Sequence, residues 1–200
     1  MKPLFFLLSL VATTISAQTL DPPKIITEKK GNVTNSYAEG SLASTQAPGC
    51  ISLTEAKNTL TPADLYQGVS DCMQQDKYER ATGLFALAGI YGRFDAKRVA
   101  DKSAGQAAIV LIMNTFANTP EDKKSKFQEQ FTRITKTPEL LAKLCSDIQK
   151  LGRPDYYPSY MILHGIGAFT GNPHEGALLK DFDAPKVWTE LQKNYLHCPV

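Results

Sequence analysis

From residue 50 onward, apolar positions recur at three- and four-residue intervals, the spacing of helices that bury one face. Leu65, Val69, Cys72 and Met73 fall on one side of a helix predicted over 62–75. Tyr78, Ala81, Leu84, Phe85 and Ala88 do the same over 77–91, and Val99, Ala104, Ala108, Leu111, Ile112 and Phe116 over 95–117. Phe127, Phe131 and Ile134 predict a helix over 120–134; Leu141, Leu144, Cys145, Ile148 and Leu151 predict one over 138–151, stopped by Gly152. Tyr160, Met161, Leu163, Ile166 and Phe169 suggest 158–170, and Val187, Trp188, Leu191 and Tyr195 suggest 184–196 behind an Asp183 cap. No alternation of strand period runs for a useful length.

Three of these helices open alike. Thr61-Pro62, Thr119-Pro120 and Thr137-Pro138 each place Thr at the N-cap and Pro at the first helical position. The hydroxyl accepts from a free backbone N–H, and Pro lacks the donor that would otherwise be orphaned. The expectation is an all-α fold: a compact bundle of about six to seven helices forming one domain over 50–200.

The chain ahead of that domain reads differently. Lys2, the apolar run from Leu4 to Ala12 and the small residue Ala17 have the form of a secretory signal over 1–17. The run falls short of the ~20 residues that span a bilayer, so no membrane insertion is expected after its removal. Residues 18–49 are rich in Pro, Gly, Asn and Ser and read as a flexible tail. Asn32-Val33-Thr34 is a glycosylation sequon, which matters only in a eukaryotic secretory pathway. A leader implies a periplasmic or secreted protein.

Export changes the meaning of the four cysteines, Cys50, Cys72, Cys145 and Cys198. An even number in an exported chain reads as two disulfides. Pairing Cys50 with Cys72 and Cys145 with Cys198 closes the shorter loops and is the expected connectivity. The cysteines are too far apart in sequence for a CxxC-type zinc site.

The 62–91 segment resembles one hairpin of the tetratricopeptide (TPR) repeat. Leu65, Val69 and Cys72 occupy apolar positions of the repeat's first helix, and Tyr78, Ala81, Phe85 and Ala88 the aromatic and small positions of its second. Val69 stands where the repeat has a small residue, Arg93 where it has its terminal proline, and no second copy follows. The resemblance implies a TPR-like hairpin that binds protein or peptide and carries no catalytic residue. In leader, size and cysteine count, the chain is also similar to small periplasmic immunity and inhibitor proteins of bacteria, which neutralise delivered toxins.

Charge narrows the partners. The 22 basic and 20 acidic residues nearly cancel, so neither nucleic acid nor an anionic membrane is an expected partner. Lys123, Lys124 and Lys126 follow Glu121 and Asp122 and read as a solvated helix face. No nucleotide-, metal- or triad-type motif is present, so no cofactor, metal site or catalytic residue is assigned.

The richest stretch chemically is 156–167, where Tyr157, Tyr160, Met161 and His164 fall near one face of a helix beside Gly165 and Gly167. Tyr157, Tyr160 and His164 are the candidate binding residues. The leading expectation is an exported, non-enzymatic protein that binds another protein. The alternatives are a small hydrolase or metal-dependent enzyme using His164, with His174 and Glu175, and a TPR-like adaptor of an envelope complex.

Overall fold

The computed structural model describes residues 24–30, 33–169, 174 and 176–199. The expected leader, Asn32 of the sequon and Glu175 lie outside the described residues. The described chain is an all-α bundle of seven helices with one small β-hairpin ahead of it. None of these helices is long and apolar enough to cross a membrane.

Helices α1 (Pro62–Gln74) and α2 (Tyr78–Arg98) pack against each other as a hairpin at the centre. Thr61 caps α1 as the sequence predicts, in a reciprocal capping box with Asp64. The turn between the helices places Asp76 at φ 57°, and the Lys77 N–H donates to the Cys72 carbonyl. Leu65 and Val69 of α1 and Leu84, Leu87, Ile90 and Tyr91 of α2 are completely buried.

Other helices cover this hairpin. α3 (Gln106–Ala117) lies on α1, α4 (Glu121–Lys136) on α2, and α5 (Pro138–Leu151) on α4. α6 (Ser159–Ile162) is short and touches α3, and α7 (Ala184–Asn194) returns to α2, where Trp188 meets Tyr91 and Phe94. The disulfides are Cys50–Cys72 and Cys145–Cys198, the expected pairs, and no cysteine is free.

The structure corrects several boundaries. α2 continues to Arg98, and the helix expected over 95–117 is broken in two. Val99 turns extended and bridges Leu178, while Asp101 caps a short 3₁₀ turn at Lys102–Gly105. The helix expected over 158–170 stops at Ile162 and resumes as a 3₁₀ turn at Ile166–Phe169. Its glycines explain this. The Ile166 N–H donates to Ser103 Oγ and the Gly167 N–H to Asp101 Oδ2, each at 2.8 Å. A Cβ at Gly165 would sit 2.4 Å from that same Asp101 oxygen. At α4, Pro120 rather than Thr119 occupies the N-cap, and the Thr119 hydroxyl donates back to the Thr115 carbonyl.

Within the stretch expected to be a tail, the described residues 24–30 and 33–49 are structured. β1 (Ile25–Lys30) pairs antiparallel with β2 (Val33–Ala38). Beyond it the chain is clipped to α1. Asp64 Oδ1 accepts from Ser44 Oγ at 2.9 Å and from the backbone N–H groups of Thr45 and Gln46 at 2.7 and 2.9 Å. Asp64 Oδ2 accepts from the Thr61 N–H and hydroxyl at 2.9 and 2.7 Å. The helical body therefore includes residues 44–49, ahead of the boundary expected at Cys50.

Candidate functional site

The expected binding residues do not share a helix face, because α6 ends at Ile162 and only Tyr160 lies on it. Tyr157 precedes the helix, is 45% exposed, and its hydroxyl lies 3.2 Å from His174 Nδ1. His164 follows the helix in a turn. It is partly buried, its buried Nδ1 has no hydrogen-bond partner, and burial holds its pKa below the ordinary value. Among the described residues, no three His, Cys, Asp or Glu side chains come together as a metal-binding group.

Tyr160 belongs to a buried polar cluster built around Asp95, which the sequence reading did not single out. Asp95 is 0% exposed, yet every oxygen is satisfied. Oδ1 accepts from Arg98 Nε at 2.8 Å, with Nη2 in ion-pair contact at 2.7 Å, and Oδ2 accepts from the hydroxyls of Tyr156 and Tyr160 at 2.8 Å each. Burial pushes the Asp95 carboxyl up to about 6, against the pull of Arg98 and both tyrosines. Arg98 also donates to the Tyr156 carbonyl at 2.9 Å. The signal was present in sequence: an acid and a base three residues apart, inside the apolar period of a helix. The cluster fastens the 156–160 segment to α2. Its carboxylate is taken up by Arg98 and the two tyrosines, and Asp95 has no solvent exposure.

An open site lies elsewhere. A cleft of about 630 Å³ runs between the start of α2, the 52–54 loop, the second half of α4, and α5. Leu53, Ile134, Leu140 and Leu144 give it an apolar floor, where Leu53 packs beside Gly83 of α2. Charges of both signs ring the mouth. Lys143 pairs with Asp147 along α5, and Arg80 lies 3.7 Å from Glu55. Asp76 pairs with Lys123 at 2.9 Å and accepts from the Tyr78 hydroxyl, which pushes the Tyr78 pKa up to about 12. Exposed Arg133 donates to Gln130 Oε1 at 3.1 Å and makes no ion pair among the described residues.

Both disulfides brace this cleft. Cys50 precedes the lining residues Ser52 and Leu53 and ties their loop to α1. Cys145 follows the lining residue Leu144 and ties α5 to Cys198 beyond α7. A groove with fixed walls, an apolar floor and a charged rim can bind a complementary surface without first paying to order itself.

Comparison with protein-family models, with curated proteins and with solved structures finds no match to this chain.

Proposed function

We propose that this protein is an exported, non-enzymatic binding protein whose receptor site is the cleft between α2, α4 and α5. The observation that carries the reading is the cleft itself: an apolar floor, a rim of both charge signs, and walls held by two disulfides. Its occupant is a segment of a partner protein with an apolar anchor flanked by charged residues, the pattern that fits the floor and rim together. Within that class the protein acts as a periplasmic immunity or inhibitor protein against a toxin acting in its own compartment. The leader-like start and the disulfides support this placement.

A second reading, an adaptor in an envelope complex, rests on the TPR-like hairpin, because Asp76–Arg80 and Gly83 of that hairpin form one wall of the same cleft.

The test is capture of partners from an envelope extract, followed by calorimetry with the purified candidate. One-to-one binding is expected, weakened at least tenfold (about 1.4 kcal/mol) by Arg133→Glu with Lys143→Glu. Both residues are exposed, so the fold should survive the exchange. A toxin as the partner supports inhibition; a structural component of the envelope supports the adaptor. A partner whose affinity ignores both substitutions, or no stoichiometric partner at all, overturns the reading.

A further inference from the structure

The cleft between α2, α4 and α5 contains a polar group that the fold leaves unused. Gln130 of α4 lines the cleft and is partly buried, and its buried Nε2 has no hydrogen-bond partner among the described residues. The other end of the same amide is engaged: Oε1 accepts from Arg133 Nε at 3.1 Å, one turn along the helix. That bond settles which end of the amide is nitrogen, because the turned-over amide would set donor against donor. A buried donor without an acceptor lowers the stability of a free protein, and native folds hold few of them.

Arg133 beside it carries a charge with no counter-charge. It is exposed, and among the described residues no acid of the cleft lining, Asp76, Glu79 or Asp147, pairs with it. The other cations of the lining are engaged. Lys143 pairs with Asp147 and feels Glu79 as well, Arg80 lies 3.7 Å from Glu55 and donates to the Cys50 carbonyl at 3.1 Å, and Lys77 Nζ donates to Gln75 Oε1 at 2.8 Å. Asp76 is taken up by Lys123 at 2.9 Å. The α4 wall thus offers positive charge and a spare donor, next in the chain to Ile134 of the apolar floor.

We propose that this wall is a carboxylate anchor: an Asp or Glu side chain of the partner segment is gripped by the Arg133 guanidinium and receives a hydrogen bond from Gln130 Nε2. An apolar side chain of the same segment rests on Ile134, Leu140 and Leu144. The carboxylate reaches Nε2 as the Gln130 side chain turns toward the cleft it lines; the exposed bond to Arg133 gives way, and charge-assisted bonds to the carboxylate replace it. The rim carries both signs of charge around the floor, which suits a segment crossing the cleft rather than a chain end stopping in it. The assignment rests on the cleft being the receptor site and adds the sign of the charge that the partner places against α4.

The experiment is an NMR titration of the oxidised protein with three acetylated peptides: one with two leucines and a glutamate and an amidated end, the same with glutamine for glutamate, and the glutamine peptide with a free terminal carboxylate. The glutamate peptide should move the Gln130 side-chain amide and Arg133 Nε–H signals, and the amidated glutamine peptide should bind at least tenfold more weakly. Arg133→Gln and Gln130→Leu should each weaken the glutamate peptide by a similar factor. Gln130→Leu should also raise the thermal midpoint of the free protein, because it removes the unpaired buried donor and keeps a good helix former; a glutamine that serves only the fold would lower it. Signals that do not move, indifference to glutamine for glutamate, a free chain end that binds as well as the glutamate peptide, or a lowered midpoint overturns the proposal. A captured partner protein whose affinity depends on Lys143 but on neither Gln130 nor Arg133 overturns the anchor alone and leaves the cleft as the receptor site.

Discussion

The Tyr160 hydroxyl donates to Asp95 Oδ2 at 2.8 Å inside a core where Asp95 has no solvent contact at all. The pair joins α6 to α2 across 65 residues of sequence. It places the cost of burying a carboxylate on a cluster that satisfies it fully, with Arg98 supplying the opposite charge.

Asp95→Asn keeps the neutral charge that burial favours but sets an amide N–H₂ donor where one carboxylate oxygen accepts from its neighbours. It should destabilise the fold by about 1–3 kcal/mol, the cost of a buried polar group left unsatisfied. Tyr160→Phe should cost about 1–3 kcal/mol through the lost hydrogen bond to the buried carboxyl. Urea unfolding of the oxidised protein measures both.

Asp95 also sets a pH dependence. Burial raises its pKa in the fold to about 6, above the ordinary value of 3.8. Between these values the folded state holds the extra proton. The stability this residue contributes is full below pH ~4 and is lost as pH rises through about 6. A carbon-detected NMR titration of the Asp95 carboxyl should show a midpoint near 6, and a midpoint below 4 would refute the assignment.

Asp64 behaves in the opposite sense. Burial alone would raise its pKa, but hydrogen bonds from Thr61, Gln46 and Ser44 outweigh it and hold the carboxyl below 3.8. Its contribution is present above the unfolded pKa and is lost as pH falls through the depressed folded one. Asp64→Asn should flatten the acid limb of the stability curve below pH ~4. Thr61→Ala should cost about 0.5–2 kcal/mol by loss of the cap.

At Gly89 the fold depends on the lack of a side chain. A Cβ there would lie 2.3 Å from the Tyr195 hydroxyl, and Arg93 sits 3.6 Å above the Tyr195 ring and pins it. Gly89→Ala should cost about 1–3 kcal/mol through overpacking. Adding Tyr195→Phe removes the clashing oxygen and should recover part of the loss, read as a rise in thermal midpoint over the single variant.

Replacing Cys145 and Cys198 by Ser should cost roughly 2–4 kcal/mol and free the chain end beyond α7 from α5. Hydrogen exchange should then rise in α7 more than in α1, whose own bridge to Cys50 is intact.

The elements legible in the sequence are those whose signals are local. Thr61-Pro62 announced the N-cap and first residue of α1, and Pro138 and Gly152 bracket α5 where the structure has it. The breaks that were missed have tertiary causes. Val99, Ala104 and Ala108 continue a helical period straight through the turn made by Asp101 and the bridge to Leu178. Gly165 and Gly167 read as packing residues on a helix, and they do allow close approach, but to an Asp101 cap that ends it. The hairpin at 25–38 lies in a stretch whose alternation is too short to register. The cleft was illegible for a similar reason. Leu144 and Ile134 appear in sequence as ordinary inward faces of two helices, and only the packing of α4 and α5 beside α2 opens the space they line with Leu140.

The docking of α7 on α2 has a consequence for synthesis. Tyr91 and Phe94 are made roughly 100 residues before Trp188, the ring that covers them. At translation rates of roughly 5–20 residues per second, that interval is about 5–20 s. Until α7 is made, Tyr91 and Phe94 of the central helix lack the indole that packs on both, and this part of the core closes only when the last helix arrives.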